Sequence, residues 1–282
     1  MNLYASLTTL KSRLDITATT WDTDLLALLG AVSRELDKWC ARWFYVWEGL
    51  RYLDGSPTPL FFPDDLLSVD TDGFVLDEDG DETYESTMAP KTGDTSNDYW
   101  LYPLNGFPKT WAKISSDSNF GGFASSTKRG IKITGKWGYG DGESATPYSD
   151  SGINVPVGGL AKAAVSLVLG AGEGASFSVG QTIRIDTEQL YISAISTDTL
   201  TLVRGQNGTI DAIHVAAADI HIYDYPEPIR EACLIQAMRL WKRRESAFQD
   251  AVGSPETGAI MVYKGLDADV KLIVSEYRRK TI

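Results

Sequence analysis

Between Val155 and Tyr225 the chain changes character, and this change limits what the whole can fold into more than any other feature. The stretch is rich in small and β-branched residues, poor in charge, and bounded by Asn154-Val155-Pro156 on one side and Tyr225-Pro226-Glu227-Pro228 on the other. Runs at 164–168, 182–185, 189–195, 199–203 and 220–223 read as strands, separated by turns at Asp186-Thr187, Thr197-Asp198 and Asn207-Gly208. Alternation places Ile183, Ile185, Leu190, Ile192, Leu200 and Leu202 on one inner face. A module of about seventy residues folds alone only marginally, so it is expected to lean on its host or on a neighbouring subunit.

Both flanks of this stretch carry helical periodicity. Two amphipathic segments open the chain, at 3–14 and 22–43. In the second, Leu25, Leu28, Leu29, Val32, Leu36, Trp39, Cys40 and Trp43 recur at three- and four-residue spacing, which defines one helix face. Asp22 is placed to cap that helix, with Trp21 packing as a staple on Leu26. Downstream, Pro226 and Pro228 open a helix expected to run to about Ala247, because proline in a first helical turn sacrifices no intrahelical bond. A short strand at 260–263 leads to a last helix from Asp267, with Val270, Ile273, Val274 and Tyr277 inward. It ends in Arg278-Arg279-Lys280, so acid and base suit the two ends of the helix dipole.

From Phe44 to Gly140 the pattern is one of short antiparallel strands at 45–52, 59–62, 66–69, 100–102, 112–115 and 131–137, the last alternating cleanly. Asp-Gly turns at Asp54, Asp72, Asp79 and Asp141 punctuate the region, and a polar loop occupies 83–97. The expected fold class is therefore α+β. A helical body with antiparallel hairpins, residues 1–155 and 226–282, carries an inserted all-β barrel or sandwich at 156–225.

Composition narrows the functional classes. The 282 residues are 43% hydrophobic and carry a formal charge of -12, which opposes a protein that grips nucleic acid by neutralising phosphates. Within 156–225 only Lys162, Arg184 and Arg204 are basic. No apolar run is long enough to span a bilayer, and Met1-Asn2-Leu3-Tyr4 lacks the pattern of a secretory signal, so a chain that stays where it is made is expected. Cys40 and Cys233 each sit in a helical pattern and read as free thiols in a reducing compartment.

Catalytic constellations fail one by one. The two histidines, His214 and His221, fall in the β-stretch without a nucleophile motif, and they read as sheet-surface or loop residues. Asp64-Asp65 after Pro63 reads as a turn cap. Asp70, Asp72, Asp77, Asp79 and Asp81 invite a calcium loop. Yet setting Gly73 sixth places Ser68 first, and setting Gly80 sixth places Val75 first, so both registers fail and a solvated hairpin tip with adventitious cation binding is expected. No catalytic residue, metal site or cofactor is assigned, and an enzyme using a metal at 70–81 is the outlying alternative.

Interaction is the better-supported chemistry. Lys242-Arg243-Arg244 and Arg278-Arg279-Lys280 are the positive clusters of an acidic chain, and they are where an acidic partner would be met. Trp39, Trp43 and Trp47 crowd a helix-to-strand junction. Because tryptophan is enriched at interfaces, Trp43 and Trp47 join the candidate contact residues.

The order of several motifs resembles the head-tail connector proteins of long-tailed bacteriophages. They are Leu10-Lys11-Ser12-Arg13-Leu14, Asp24-Leu25-Leu26, Leu36-Asp37-Lys38-Trp39-Cys40, Arg42-Trp43-Phe44, Arg51-Tyr52-Leu53-Asp54-Gly55, Leu60-Phe61-Phe62-Pro63-Asp64-Asp65-Leu66, Tyr99-Trp100-Leu101-Tyr102-Pro103, Gly135-Lys136-Trp137-Gly138-Tyr139 and Pro228-Ile229-Arg230-Glu231-Ala232. The resemblance implies a non-enzymatic adaptor in the virion neck, made in the host cytoplasm. It implies a ring of about twelve copies closed by rotational symmetry, docked under the portal protein and receiving a downstream neck or tail-completion protein. Genomic DNA would pass through without specific binding, and no membrane is involved. It assigns portal contact to Tyr277, Arg278 and Arg279. The departure is the insert, whose Val203-Arg204-Gly205-Gln206-Asn207-Gly208-Thr209 run looks like turn segments of phage structural proteins. The alternative reading is a virion decoration or tail-associated binding module acting through that insert.

Overall fold

The structure is a computed structural model, and it describes residues 2–91, 97–124, 127–245, 251–254, 258–261 and 265–279. Among these the chain is α+β, with four α-helices and antiparallel sheets of four, three and six strands, none closed into a barrel. Two compact units divide it. One comprises Phe44–Pro147 with Asn207–Thr209, and the other comprises Met1–Trp43, Tyr148–Gln206 and Ile210–Ile282.

The first unit holds β1 (Trp47–Leu53), β2 (Leu60–Phe61), β3 (Leu66–Leu76), β4 (Ser86–Thr87), β5 (Tyr99–Tyr102), β6 (Trp111–Ile114) and β7 (Ile131–Trp137). Its four-stranded sheet runs β1-β7-β3-β4 and its three-stranded sheet β2-β6-β5. The clean alternation read at 131–137 is the burial pattern observed, with Ile131, Ile133, Gly135 and Trp137 buried. β3 is longer than expected because Asp72-Gly73 is not a hairpin turn. The register slips between Val69 and Phe74, so these residues form a bulge within one strand, and Asp72 takes φ 55°. Phe61, Phe74, Tyr99 and Phe123 are buried against one another at ring-centroid distances of 4.8 to 6.2 Å. Each such pair adds about 0.5–1.5 kcal/mol beyond area burial.

In the second unit α1 (Leu7–Arg13), α2 (Asp22–Cys40), α3 (Glu227–Glu245) and α4 (Ala268–Tyr277) accompany β8 (Tyr148–Asn154), β9 (Ser166–Val168), β10 (Thr182–Ile185), β11 (Glu188–Ser196), β12 (Thr199–Val203), β13 (Asp219–Tyr223) and the hairpin β14 (Ala251–Ser254) to β15 (Gly258–Met261). The six-stranded sheet runs β8-β13-β10-β11-β12-β9. β8 and β9 are its two edges and do not pair, so the sheet is open and the barrel expectation is corrected. All six inner-face residues read from the sequence lie in its core, at most 2% exposed, together with Ile153, Leu160, Leu167, Phe177 and Ile220. β8 lies upstream of the Val155 boundary read from composition and still pairs with β13.

α2 contacts the other three helices. It buries Leu25, Leu29, Val32, Ser33, Leu36 and Cys40, which is the expected face narrowed by one residue column, since Trp39 is 50% exposed. Asp22 is not its cap but its first helical residue, and its carboxylate binds Lys11 Nζ at 2.6 Å. Trp21 packs edge-on against Trp241 of α3 at 5.9 Å. α1 is shorter than expected because Ser6 caps it, accepting from the Thr9 N–H. The preceding Leu3, Tyr4 and Ala5 are buried outside the helix, with a bend at Tyr4 and Ala5. Ser33 ties this segment down, its hydroxyl accepting the Tyr4 N–H at 3.1 Å and donating to the Leu29 carbonyl at 2.7 Å. α4 starts at Ala268 with Asp267 as its cap and buries Val270 and Val274, leaving Ile273 and Tyr277 half-buried. The expected strand 260–263 is the end of β15, and its residues 262 and 263 lie outside the described residues.

Gly135 shows how tightly β7 is clasped. A methyl group on its Cα would lie 2.1 Å from the Ser68 carbonyl oxygen of the bulged β3. Gly135→Ala is therefore expected to lower the stability measured by urea unfolding by about 1–3 kcal/mol. Lys113→Ala on an exposed β6 position should change it by less than about 0.5 kcal/mol.

Candidate interaction surface

The sequence offered histidines, acidic clusters, basic runs and tryptophans as the groups that carry chemistry. His214 was expected at a sheet surface or in a loop, and it is instead 1% exposed. Its Nδ1 lies 2.7 Å from Asp186 and its Nε2 2.8 Å from Glu188. Both contacts are hydrogen bonds only when both ring nitrogens carry a proton. Glu188 is fully buried and also receives Arg204 in a two-pronged contact, Nε and Nη2 each at 2.7 Å, together with the N–H groups of Gly205 and Ala212. Burial pushes the Glu188 carboxyl up. Arg204, the two N–H groups and His214 outweigh it and hold that carboxyl at about 2.

The network joins Arg204 and His214 to the carboxylates of Asp186 and Glu188. Both imidazole nitrogens are occupied by carboxylates, so the ring has no free nitrogen to relay a proton to a nucleophile. Arg204, Gly205, Ala212 and His214 are thereby tied to the turn between β10 and β11. His221 lies on β13 opposite Arg184, half-buried. The sequence clue to the network was the Asp186-x-Glu188 spacing in a charge-poor region. Arg204 and His214 complete it from positions that no local pattern connects.

Among the described residues, Asp77, Asp79, Asp81 and Glu85 bring one carboxylate oxygen each within 4.8 Å of one another. Asp77, 2% exposed, organises the turn itself, because its two oxygens accept the N–H groups of Gly80 at 2.7 Å and Glu82 at 3.0 Å. The other three are exposed. Asp64 pairs with Arg51.

The two basic runs do not form one patch. Arg244 stacks between Trp21 and Trp241, its guanidinium carbon 4.4 and 3.7 Å from their ring centres, and so lies at the start of α2. Lys242 is exposed and Arg243 half-buried beside it. Arg279 lies at the other end of α2, its N–H donating to the Cys40 carbonyl at 2.8 Å. Arg278 is exposed, Tyr277 half-buried, and Lys280 lies outside the described residues. Trp43 and Trp47 are both half-buried. Within the first unit Trp47 folds back over Gly49, with Arg51 5.4 Å from its ring centre. Cys40 and Cys233 are free, and burial pushes both thiols up to about 12.

No known protein family, curated protein or solved structure matches the chain. No helix among the described residues is long and apolar enough to cross a membrane.

Glu188→Ala would strand Arg204 and His214 in the interior, and removing one partner of a buried pair costs about 3–5 kcal/mol. The Glu188 carboxyl is depressed in the folded state, so its contribution is complete above its ordinary value of 4.5 and lost as pH falls through about 2. Urea unfolding of parent and variant should therefore differ most above pH 4.5 and converge toward pH 2.

Proposed function

We propose that this chain is a non-enzymatic head-tail adaptor of a tailed bacteriophage. Copies form a ring of about twelve by closed rotational symmetry beneath the portal protein, in the virion neck, after synthesis in the host cytoplasm. The ring joins the capsid to a downstream neck or tail-completion protein and uses no cofactor. The order of the motifs from Leu10 to Ala232 carries this reading, since they recur in the sequence of elements that the connector resemblance implies. In this reading residues 1–155 and 226–282 form the adaptor body. Residues 156–225 form an inserted all-β element, to whose sheet β8 of the body adds an edge strand.

Three features support it. Gly135, Lys136 and Trp137 of the Gly-Lys-Trp-Gly-Tyr motif end β7, a strand paired on both sides. The net charge of -12 lets a channel pass DNA without holding its phosphates. The exposed Arg278 and half-buried Tyr277 end α4, where the family resemblance puts the portal contact.

Negative-stain images of the purified chain mixed with its portal should show rings seated on the portal. A chain that stays monomeric and never binds would sink the reading. Arg278→Glu should weaken portal binding about tenfold, roughly 1.4 kcal/mol, whereas Lys113→Glu, on an exposed position of β6, should leave portal binding unchanged.

A further inference from the structure

The β-stretch presents to water what its core would be expected to hide. Val157 is 100%, Ile210 78%, Ile213 70% and Val215 69% exposed. Exposed aliphatics scattered singly need no explanation, but these lie together. His214 points inward, so the alternation of extended chain turns Ile213 and Val215 outward. Leu160 and His214 exchange backbone hydrogen bonds at 2.8 and 2.9 Å. Gly159, at φ 68°, lies so close to this strand that a methyl on it would sit 2.5 Å from the His214 carbonyl oxygen and 3.6 Å from the Val215 Cα. The turn bearing Val157 is thereby laid beside Val215.

This tip is also rigid. The Ala212 N–H donates to Glu188 at 3.0 Å, and its carbonyl accepts from Arg204 at 2.6 Å, so the buried network fixes the backbone midway between Ile210 and Ile213. A side chain held in place before contact loses little entropy on binding.

A complementary concave surface lies on the helices of the same unit. Between α2 and α3 a cavity of about 290 Å³ is lined by Asp24, Leu28, Leu240, Trp241 and Arg244. Across Leu240 a second, of about 260 Å³, is edged by Glu35, Trp39 and Arg243. About 150 Å³ of apolar space suffices to hold a benzene ring, so either cavity admits a branched aliphatic side chain. Trp21 and Trp39, 40% and 50% exposed, stand at the two ends of the groove.

We propose that copies of this chain associate head to tail, the aliphatic tip of Val157, Ile210, Ile213 and Val215 on one copy seating in the α2–α3 groove of the next. Charge selects the occupant. Two chains of net charge -12 repel except where one offers basic side chains, and the α3 side of the groove carries Arg243 and Arg244, with Asp24 and Glu35 on its α2 side. Asp211 lies within the tip, between its two isoleucines, and in this contact would meet those arginines. Tip and groove are different surfaces of one chain, so the contact is heterologous, the kind that generates a ring when its rotation closes. The inference rests on the adaptor reading and names the contact between neighbouring copies.

The test is disulfide trapping of full-length chains. Ile210→Cys and Leu240→Cys are made singly, mixed in equal amounts and mildly oxidised. Cys40 and Cys233 are 0% exposed and do not compete. The mixture should give a covalent dimer that neither variant gives alone, and a chain carrying both substitutions should give a ladder. Arg244→Glu in the Leu240→Cys chain should lower the dimer yield at least tenfold, and Asp211→Lys in the Ile210→Cys chain should restore it. Absence of the mixed dimer, or an equal yield from Ile210→Cys alone, overturns the proposal. Rings on the portal without the mixed dimer would leave the adaptor reading standing and remove this contact. The mixed dimer without portal binding would do the reverse.

Discussion

The carboxylate of Glu188 is sealed from water, and the geometry of the β-rich part of the second unit follows from how its charge is met. Arg204 closes on both of its oxygens, two backbone N–H groups point at it, and His214 bridges it to Asp186 at the rim. Burying ions is costly unless every group is matched, and a half-matched set is worse than an apolar core. Matching here requires that residues 204, 205, 212 and 214 all converge on the turn between β10 and β11. A segment whose regular structure is one 3-10 turn, Gln206–Gly208, is in this way given one conformation. The apolar core beneath supplies the driving force, while the ion network selects which backbone path is compatible with it.

Among the helices the corresponding constraint is α2. One face is filled by the other helices and by the N-terminal segment, anchored through Ser33 to the Tyr4 N–H and through Arg34 to the Asn2 carbonyl at 3.0 Å. Among the described residues the opposite margin, from Trp21 to Trp39, is not filled. Arg244 covers Trp21 and Trp241 with a guanidinium plane, which shields aromatic area while keeping its charge at the surface. The result is a groove apolar in floor, with Arg243 and Arg244 on its α3 side and Asp24 and Glu35 on its α2 side, on a chain whose net charge is strongly negative. The basic run of α3 and the basic end of α4 occupy opposite ends of α2, so one acidic chain offers two separate places at which another acidic surface can be tolerated.

Local pattern made several elements legible before any coordinates. The strands at 131–137, 182–185 and 199–203 stand at the boundaries read from alternation. The inner-face residues of the six-stranded sheet are the buried ones, because period two leaves no freedom once one face is apolar. What failed were features that depend on partners distant in sequence. Asp72-Gly73 has turn composition, yet pairing with β7 on both sides of it makes a bulge. Asp22 has cap chemistry, yet Lys11 takes its carboxylate. β8 carries too little apolar alternation to be seen alone and becomes a strand because β13 offers an open edge.

The sequence by itself determined the α+β class, the helix and strand periods and the acidic balance, since each is a property of neighbours along the chain. Tertiary structure alone decided that His214 would be buried between two carboxylates, that Ile210, Ile213 and Val215 would be held out in water, and that Trp21 would meet Trp241. These outcomes depend on groups between sixteen and more than two hundred positions apart. Only the energetic requirement to pair every buried charge and cover most apolar surface brings them together, and that requirement acts on the folded whole.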